Sequence, residues 1–447
     1  MANAHYIAKL LNITDERIEF SDTITHEMKR NVHCKVLEGR LSYPLKACLN
    51  CGIINRSTKD MIKYGFDTST ITLTHINFQP ILLKLKKQRY RCQHCSTTST
   101  VTTSLVNKGC FISNDIKRTI VMELTQVQSM KLIAQHLFVS RHTVATQLKR
   151  VGSSLAAQKR YLPEHLGIDE FKSVNSVTQS MSCILMDTHN HTLVDILPDR
   201  TQNALRDYFM RFTYESRQQV KTVTMDMYGP YYHFLQQIFP NAKMIIDRFH
   251  LVQLLNRTLN QERIRLMNDI RNRRPRDYRK LKQQWKLILK NRDDLEFTTY
   301  QTHRLYDGLV TEKSMVNYLL NLDKRFEQVY HLVNDLKSDI AQHNYKAFER
   351  DLYETRKYQL PRKVRTTIQT FIYYLPAIKN SLTYTLSNGI IEGTNNKIKN
   401  IKRSGYGYRN FSNLRYRILI TQNLIKKDKE IRPLLFKDEI SNNKRIA

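Results

Sequence analysis

Two Cys-x-x-Cys pairs, Cys48 and Cys51 in ACLNCG and Cys92 and Cys95 in YRCQHCS, constrain this chain more than any other feature. Thiolates three positions apart on a tight turn can both face one tetrahedral Zn²⁺, and two such turns supply four ligands. Gly52, directly after the first pair, suits a turn whose backbone N–H groups approach sulfur closely. The pairs stand further apart than in a compact zinc ribbon, so an inserted strand segment, ITLTHINFQPILLKLKK, is required between them. Four ordinary buried thiols are the alternative. Cys34, Cys110 and Cys183 have no partner in sequence and read as core thiols. Seven cysteines in 447 residues do not make a disulfide scaffold, so a reducing compartment is expected.

A second N-terminal feature lies in residues 112–152, which are periodic at helical spacing. In QSMKLIAQHLFVSRHTVATQLKRVG, Leu132, Ile133 and Leu137 mark one short amphipathic helix. A break at Phe138-Val139 follows, with Ser140 as N-cap of a second helix. Val144, Leu148 and Val151 form its buried stripe, while His142, Thr143, Thr146, Gln147, Lys149 and Arg150 can reach base edges or phosphates. This predicts a helix-turn-helix, with 140–151 entering a DNA groove. A structural helix pair is the alternative. Charge favours DNA: 72 Lys+Arg against 40 Asp+Glu leave +32, which calls for a polyanionic partner.

At roughly 100–200 residues per domain, the length predicts two to four domains. A hydrophobic fraction of 41% supports real cores, and 12 Gly with 10 Pro disfavour a flexible or collagen-like chain. Without an 18-residue apolar run or a charged-then-apolar leader, a membrane span or secretion is not expected.

From residue 165 the pattern turns to short β-rich runs: HLGIDEF, SCILMD, HTLVDIL, VKTVTMD and AKMIID. RTQNALRDYFMRF and GPYYHFLQQIF read as helices between or after them, so the expected fold is α/β with a mixed sheet. Asp169 and Asp226 stand where apolar strands end, a rigid place to fix a metal ligand. Taken singly, each is more often a turn or cap residue. Glu170 alternates away from Asp169, Asp187 ends another strand, and Asp247 is a helix N-cap or a group behind a metal ligand. His250 could orient a phosphate or a water, or simply pack. Trp285 lies among nine Lys+Arg in 271–290 and could stack on a base or belong to a core.

A third acid appears in SNGIIEGTNNKIKNIKRSGYGYRN. On a helix over 388–403, Ile390, Ile391, Ile398 and Ile401 share a ~100° apolar sector. Glu392, Asn396, Lys399 and Arg403 share a ~60° sector on the other side. A surface helix usually mixes Glu and Lys in i,i+4 pairs, whereas here the basic residues follow a single acid. A carboxylate among phosphate-binding groups fits an active site, with a solvated helix face as the alternative.

In this order the motifs CxxC–CxxC, helix-turn-helix, GIDEF, TMDMYGPY, DRFH and NGIIEGTNNKIKNIKRSGYGYRN resemble bacterial insertion-sequence DDE transposases of the ISL3 group, from about residue 40 to about 425. The resemblance implies a multidomain α+β chain: an N-terminal zinc-binding module (1–110), a helix-turn-helix (111–160), and a ribonuclease H-like α/β core (161–250 and 386–447) interrupted by an all-helical insertion (251–385). It implies Asp169, Asp226 and Glu392 as catalytic acids holding two Mg²⁺ (or Mn²⁺) ions, about 4 Å apart in two-metal sites. The zinc held by Cys48, Cys51, Cys92 and Cys95 would be structural. The partners it implies are double-stranded DNA, both terminal inverted repeats and target, and a second copy in a homodimeric synaptic complex. A cytoplasmic, nucleoid-associated protein follows. A catalytically inert, transposase-derived DNA-binding regulator is the rival, and a ribonuclease H-like host nuclease such as a junction resolvase a further one.

Overall fold

The structure, a computed structural model, describes residue 6 and residues 8–29, 31–158, 161–177, 179–357, 359–384 and 389–423. The start of the expected 386–447 segment and its tail beyond 423 therefore lie outside the described residues. The chain divides into two compact units, residues 1–158 with 397–447, and residues 159–396.

The first unit opens with a sheet of five strands, β1 (Ile18–Lys29), β2 (Val32–Leu41), β3 (Met61–Ile76), β4 (Gln79–Cys92) and β5 (Thr98–Thr100). The order is β1-β2-β4-β3, with β5 also paired to β4. The segment expected between the cysteine pairs is the β3–β4 hairpin. Ile76 pairs with Gln79 across Asn77 and Phe78, both at positive φ, as a two-residue turn between right-twisted strands demands. Leu37, Leu41, Ile71, Leu83 and Leu85 form the core of this sheet, and Cys48 and Cys92 belong to it.

Three helices follow: α1 (Asn114–Thr125), α2 (Met130–His136) and α3 (Arg141–Gln158). Serine hydroxyls cap each start, Ser113 accepting from Ile116 N, Ser129 from Leu132 N and Ser140 from Thr143 N. Phe138 adopts φ +53°, which makes the break between α2 and α3 a sharp turn. Ile133, Leu137, Val144, Leu148 and Val151 are buried together with Ile120 and Leu124, but Leu132 is exposed.

Ile420 joins that same core. It comes from the helix Phe411–Asn423, which the sequence reading assigned to the second part of the catalytic core. Arg417 of this helix is 1% exposed and donates to the carbonyls of Gln126 (2.7 Å) and Gln128 (2.8 Å) between α1 and α2. Gly152 of α3 is the contact point, since a Cβ there would lie 2.3 Å from Tyr416 Cβ. Gly152→Leu is therefore expected to pry the helix away, lowering stability by about 1–3 kcal/mol. An unchanged melting temperature would show that the two helices do not pack in solution.

In the second unit, β6 (His165–Lys172), β7 (Met181–Asp187), β8 (Thr192–Leu197), β9 (Thr222–Met225) and β10 (Lys243–Ile246) form one sheet in the order β10-β9-β6-β7-β8. β6, β7 and β8 are antiparallel neighbours, while β9 and β10 run parallel to β6. Residues 202–209 and 229–238 are helical connections around β9. Residues 248–383 are mainly helical, with Arg248–Asp269, Lys324–Ala341 and Arg362–Tyr373 as long members. One departure from the all-helical expectation is a ribbon pairing Gln301–Thr302 with Leu309–Val310. Its strands are too short to leave an alternating pattern.

Candidate active site

Sheet register places the aspartates. The parallel pairing of β6 with β9 ends at Gly167 opposite Thr224, so two residues on, Asp169 lies level with Asp226. Ile246 of β10 pairs with Met225, which brings Asp247 level with Asp226 on the other side. Asp247 N donates to Met225 O at 3.1 Å. Asp169 is thus not at the end of its strand: β6 continues beside β7 to Lys172, and only its parallel edge stops.

Asp169 is tightly held. Its Oδ1 accepts from Glu170 N at 2.7 Å and its Oδ2 from Asn395 Nδ2 at 2.7 Å. Burial, then the nearby Asp226 carboxylate, push it up to about 7. His250 Nε2 lies 2.8 Å from Asp226 Oδ1, and this carboxylate raises the imidazole above its ordinary value. Asp247 caps the helix at 248–269 by accepting from Phe249 N at 3.3 Å, and burial raises it too. Of the roles considered for Asp247, the structure shows the cap, at a position level with Asp226.

The helix Gly389–Ser404 brings the third acid. Ile391, Ile398 and Ile401 are buried, and Glu392, Asn396, Lys399 and Arg403 are exposed, so the two expected stripes are present. Ile391 packs on β6 at Gly167, where a Cβ would come within 2.6 Å of Ile391 Cδ1 and of Thr188 Cγ2. Side chains two apart on a strand share a face, so this helix covers the face from which Asp169 projects. Asn395 lies three positions after Glu392, rotated toward the isoleucine stripe, and is 8% exposed. The carboxylate of Glu392 does not close with Asp169 and Asp226 into one compact donor cluster among the described residues. Gly167→Val should push the helix off the sheet, costing about 1–3 kcal/mol and separating Asn395 from Asp169. Unchanged melting and unchanged catalysis would contradict this packing.

Neighbouring acids have other work. Glu170 is bonded by Arg200 and accepts from Tyr231 OH at 2.9 Å, which ties β6 to the helix at 229–238. Asp187 closes the β7–β8 turn through His189 N and Asn190 N.

The four cysteines form a separate centre. Cys48 Sγ lies 3.6 Å from Cys95 Sγ, Cys51 Sγ lies 3.7 Å from Cys92 Sγ, and all four sulfurs fall within 4.8 Å of one another. Tetrahedral Zn–S bonds of about 2.3 Å place sulfurs about 3.8 Å apart, so the spacing is compatible with zinc. The two turns are alike: Cys48 N donates to Ile53 O and Cys92 N to Thr97 O, with positive φ at Gly52 and at Ser96. The Thr97 hydroxyl, 2.9 Å from Cys95 Sγ, holds that thiol down to about 5.

On α3, His142, Thr146 and Lys149 are exposed, and Thr143 and Arg150 are half-buried. Gln147 is 6% exposed and accepts from Arg150 Nε at 3.1 Å, so it is unavailable to bases. Its spacing shows why: with Val144, Leu148 and Val151 it completes an i, i+3, i+4, i+7 inward stripe. Asn395 is the residue that sequence reasoning missed. One position before the chosen Asn396, it turns toward the apolar side of the helix and meets Asp169. Trp285 is 43% exposed with Lys286 Nζ 5.8 Å above its ring. Among the described residues, no helix is long and apolar enough to cross a membrane.

Residues 166–418, more than half of the chain, match the family model for ISL3-type DDE transposases, described as "Transposase". The chain is 25% identical over 335 residues to the transposase for insertion sequence element IS1001 of Bordetella parapertussis, covering 74% of this chain and 78% of that protein. A shorter stretch of 111 residues is 38% identical to a protein of Lactococcus lactis subsp. lactis named ATP-dependent protease, covering 25% of this chain and 35% of that protein.

Proposed function

Since the chain belongs to the ISL3 family of DDE transposases, which implies a ribonuclease H-like core, we propose that it binds the terminal inverted repeats of its insertion sequence and catalyses Mg²⁺-dependent DNA cleavage and strand transfer. The observation that carries this reading is Asp169 beside Asp226 on one rim, with Asn395 of the Glu392 helix bonded to Asp169. A match covering about a third of the protein named as a protease carries no claim on activity.

Asp169, Asp226 and Glu392 offer oxygen donors, the set that Mg²⁺ or Mn²⁺ prefers, and the buried Asp226 Oδ1 receives no well-aligned hydrogen bond. Ions held by these carboxylates would supply polarisation of the attacking oxygen and charge neutralisation at the leaving one. The protein's own groups prepare this site. Asn395 fixes the orientation of Asp169, and His250, its imidazole raised by Asp226, holds that carboxylate from the other side. Burial beside Asp226 raises Asp169 to about 7, so a cation binding there would compete with a proton. Glu392, exposed on the same helix as Asn395, would be the third acid of the set. Water opening a phosphodiester at the element's end leaves a 3′-OH, which attacks target DNA without a covalent protein–DNA intermediate.

Asn396, Lys399 and Arg403 continue the stripe of Glu392 and suit phosphate contact. The helix pair α2–α3 is read as the helix-turn-helix, with His142, Thr143, Thr146 and Arg150 toward DNA and Gln147 withdrawn from that set. Zn²⁺ in the cysteine cluster fixes the N-terminal module, and residues 251–385 form the helical insertion between the second aspartate and the glutamate. Two protomers synapse the two ends, at the nucleoid in the bacterial cytoplasm. A duplex of the element's end with a free 3′-OH, incubated with target plasmid and Mg²⁺, should be joined to the plasmid. End binding with no joining in Mg²⁺ or Mn²⁺ would favour the inert regulator.

A further inference from the structure

Four arginines, Arg265, Arg325, Arg362 and Arg365, line a groove of about 570 Å³ in the helical region. An adjoining groove of about 640 Å³ shares Arg365 and adds Arg356 and Tyr373. Arg265 is bonded to Glu262 (2.8 Å) and Asp269 (3.0 Å), which fixes its position. Arg325, Arg356, Arg362 and Arg365 are exposed, and none has a carboxylate within 4.0 Å among the described residues. With Arg265 neutralised by its own carboxylates, the other four guanidinium groups lack such partners and repel one another, and an anion in the groove relieves that repulsion. Arginine also presents a planar fork that matches two phosphate oxygens, which lysine cannot do. Two grooves in continuation suit an extended polyanion better than a single free phosphate.

We propose that this arginine groove seats the phosphate backbone of double-stranded DNA, as a sequence-independent contact apart from the acidic rim. The inference rests on the DNA-processing reading above and adds a place where the helical region grips its substrate. Neither the exposed stripe after Glu392 nor the basic run at 271–290 includes these residues.

The test compares full-length wild type with Arg362→Ala/Arg365→Ala and with Arg362→Lys/Arg365→Lys. Binding to an end duplex and to an unrelated duplex of equal length is measured across a salt series. Each phosphate contact contributes about 0.9 to the slope of log K against log salt. The alanine pair should lower that slope by about 2 and weaken both duplexes by the same factor, while the lysine pair keeps most of the slope. An unchanged slope in the alanine pair overturns the groove while leaving the transposase reading intact. Weakening confined to the end duplex also overturns it, because backbone contacts carry no sequence information. A wild type that binds neither duplex defeats both readings together. If the alanine pair melts early, Arg325→Ala reads the same groove and should lower the slope by about 1.

Discussion

Asp226→Asn should leave the protein folded and bound to DNA while its cleavage rate falls about 10²–10³-fold, the scale seen when one preorganised electrostatic group is removed from an active site. The amide keeps the shape of the side chain but removes the charge that faces His250 and that raises Asp169. Two secondary effects should follow: the imidazole loses the partner that raises it, and Asp169 ionises more readily. Glu170→Gln is the informative control. Glu170 adjoins Asp169 in sequence, yet its carboxylate serves Arg200 and Tyr231. It should change stability more than chemistry, so equal losses in the two variants would point to general damage. Cleavage within tenfold of wild type in Asp226→Asn would sink the assignment of that acid.

Cys92→Ser should have the largest effect on stability. Cys92 is fully buried in the core of the N-terminal sheet, at the end of β4, and three other thiols converge with it. Structural zinc supplies about 10–16 kcal/mol of apparent binding energy in small zinc modules, much of which is folding energy. The purified protein should carry one zinc per chain, and strong chelation should melt the N-terminal sheet. The second unit has its own core, built from residues such as Leu166, Phe209, Phe326 and Phe371, and should melt in a separate transition that chelation leaves in place. End-selective binding should fall with the first transition. Purified protein free of zinc, with melting indifferent to chelation and to Cys92→Ser, would contradict the zinc centre.

Local pattern made much of this architecture legible. The five apolar runs from 165 to 247 are the five strands of the second sheet, because buried strands leave short β-branched runs between turn residues. The isoleucine stripe of 389–404 and the polar stripe carrying Glu392 followed from the helical step alone. The residues that escaped are those whose role depends on a distant partner. Asn395 reads as one more polar residue until Asp169 of β6 is placed beside it. The helix at 411–423 shows an inward face, but nothing local says that Ile420 joins the core of Leu124 and Val144. Gln147 is different, since its i+3 position from Val144 carried the signal of burial. The exposed Leu132 shows the reverse error: on a seven-residue helix, apolar character alone does not choose the inward side.

The most direct measurement of the central claim is cleavage of supercoiled plasmid that carries the element with its flanking DNA. Wild type, Asp169→Asn and Glu392→Gln would be incubated in Mg²⁺ and in chelator, with breaks mapped to the nucleotide. The account expects Mg²⁺-dependent breaks at the element's ends for wild type and none for either variant, with end binding retained in all three. End cleavage that persists in chelator, or in Glu392→Gln at the wild-type rate, would contradict it.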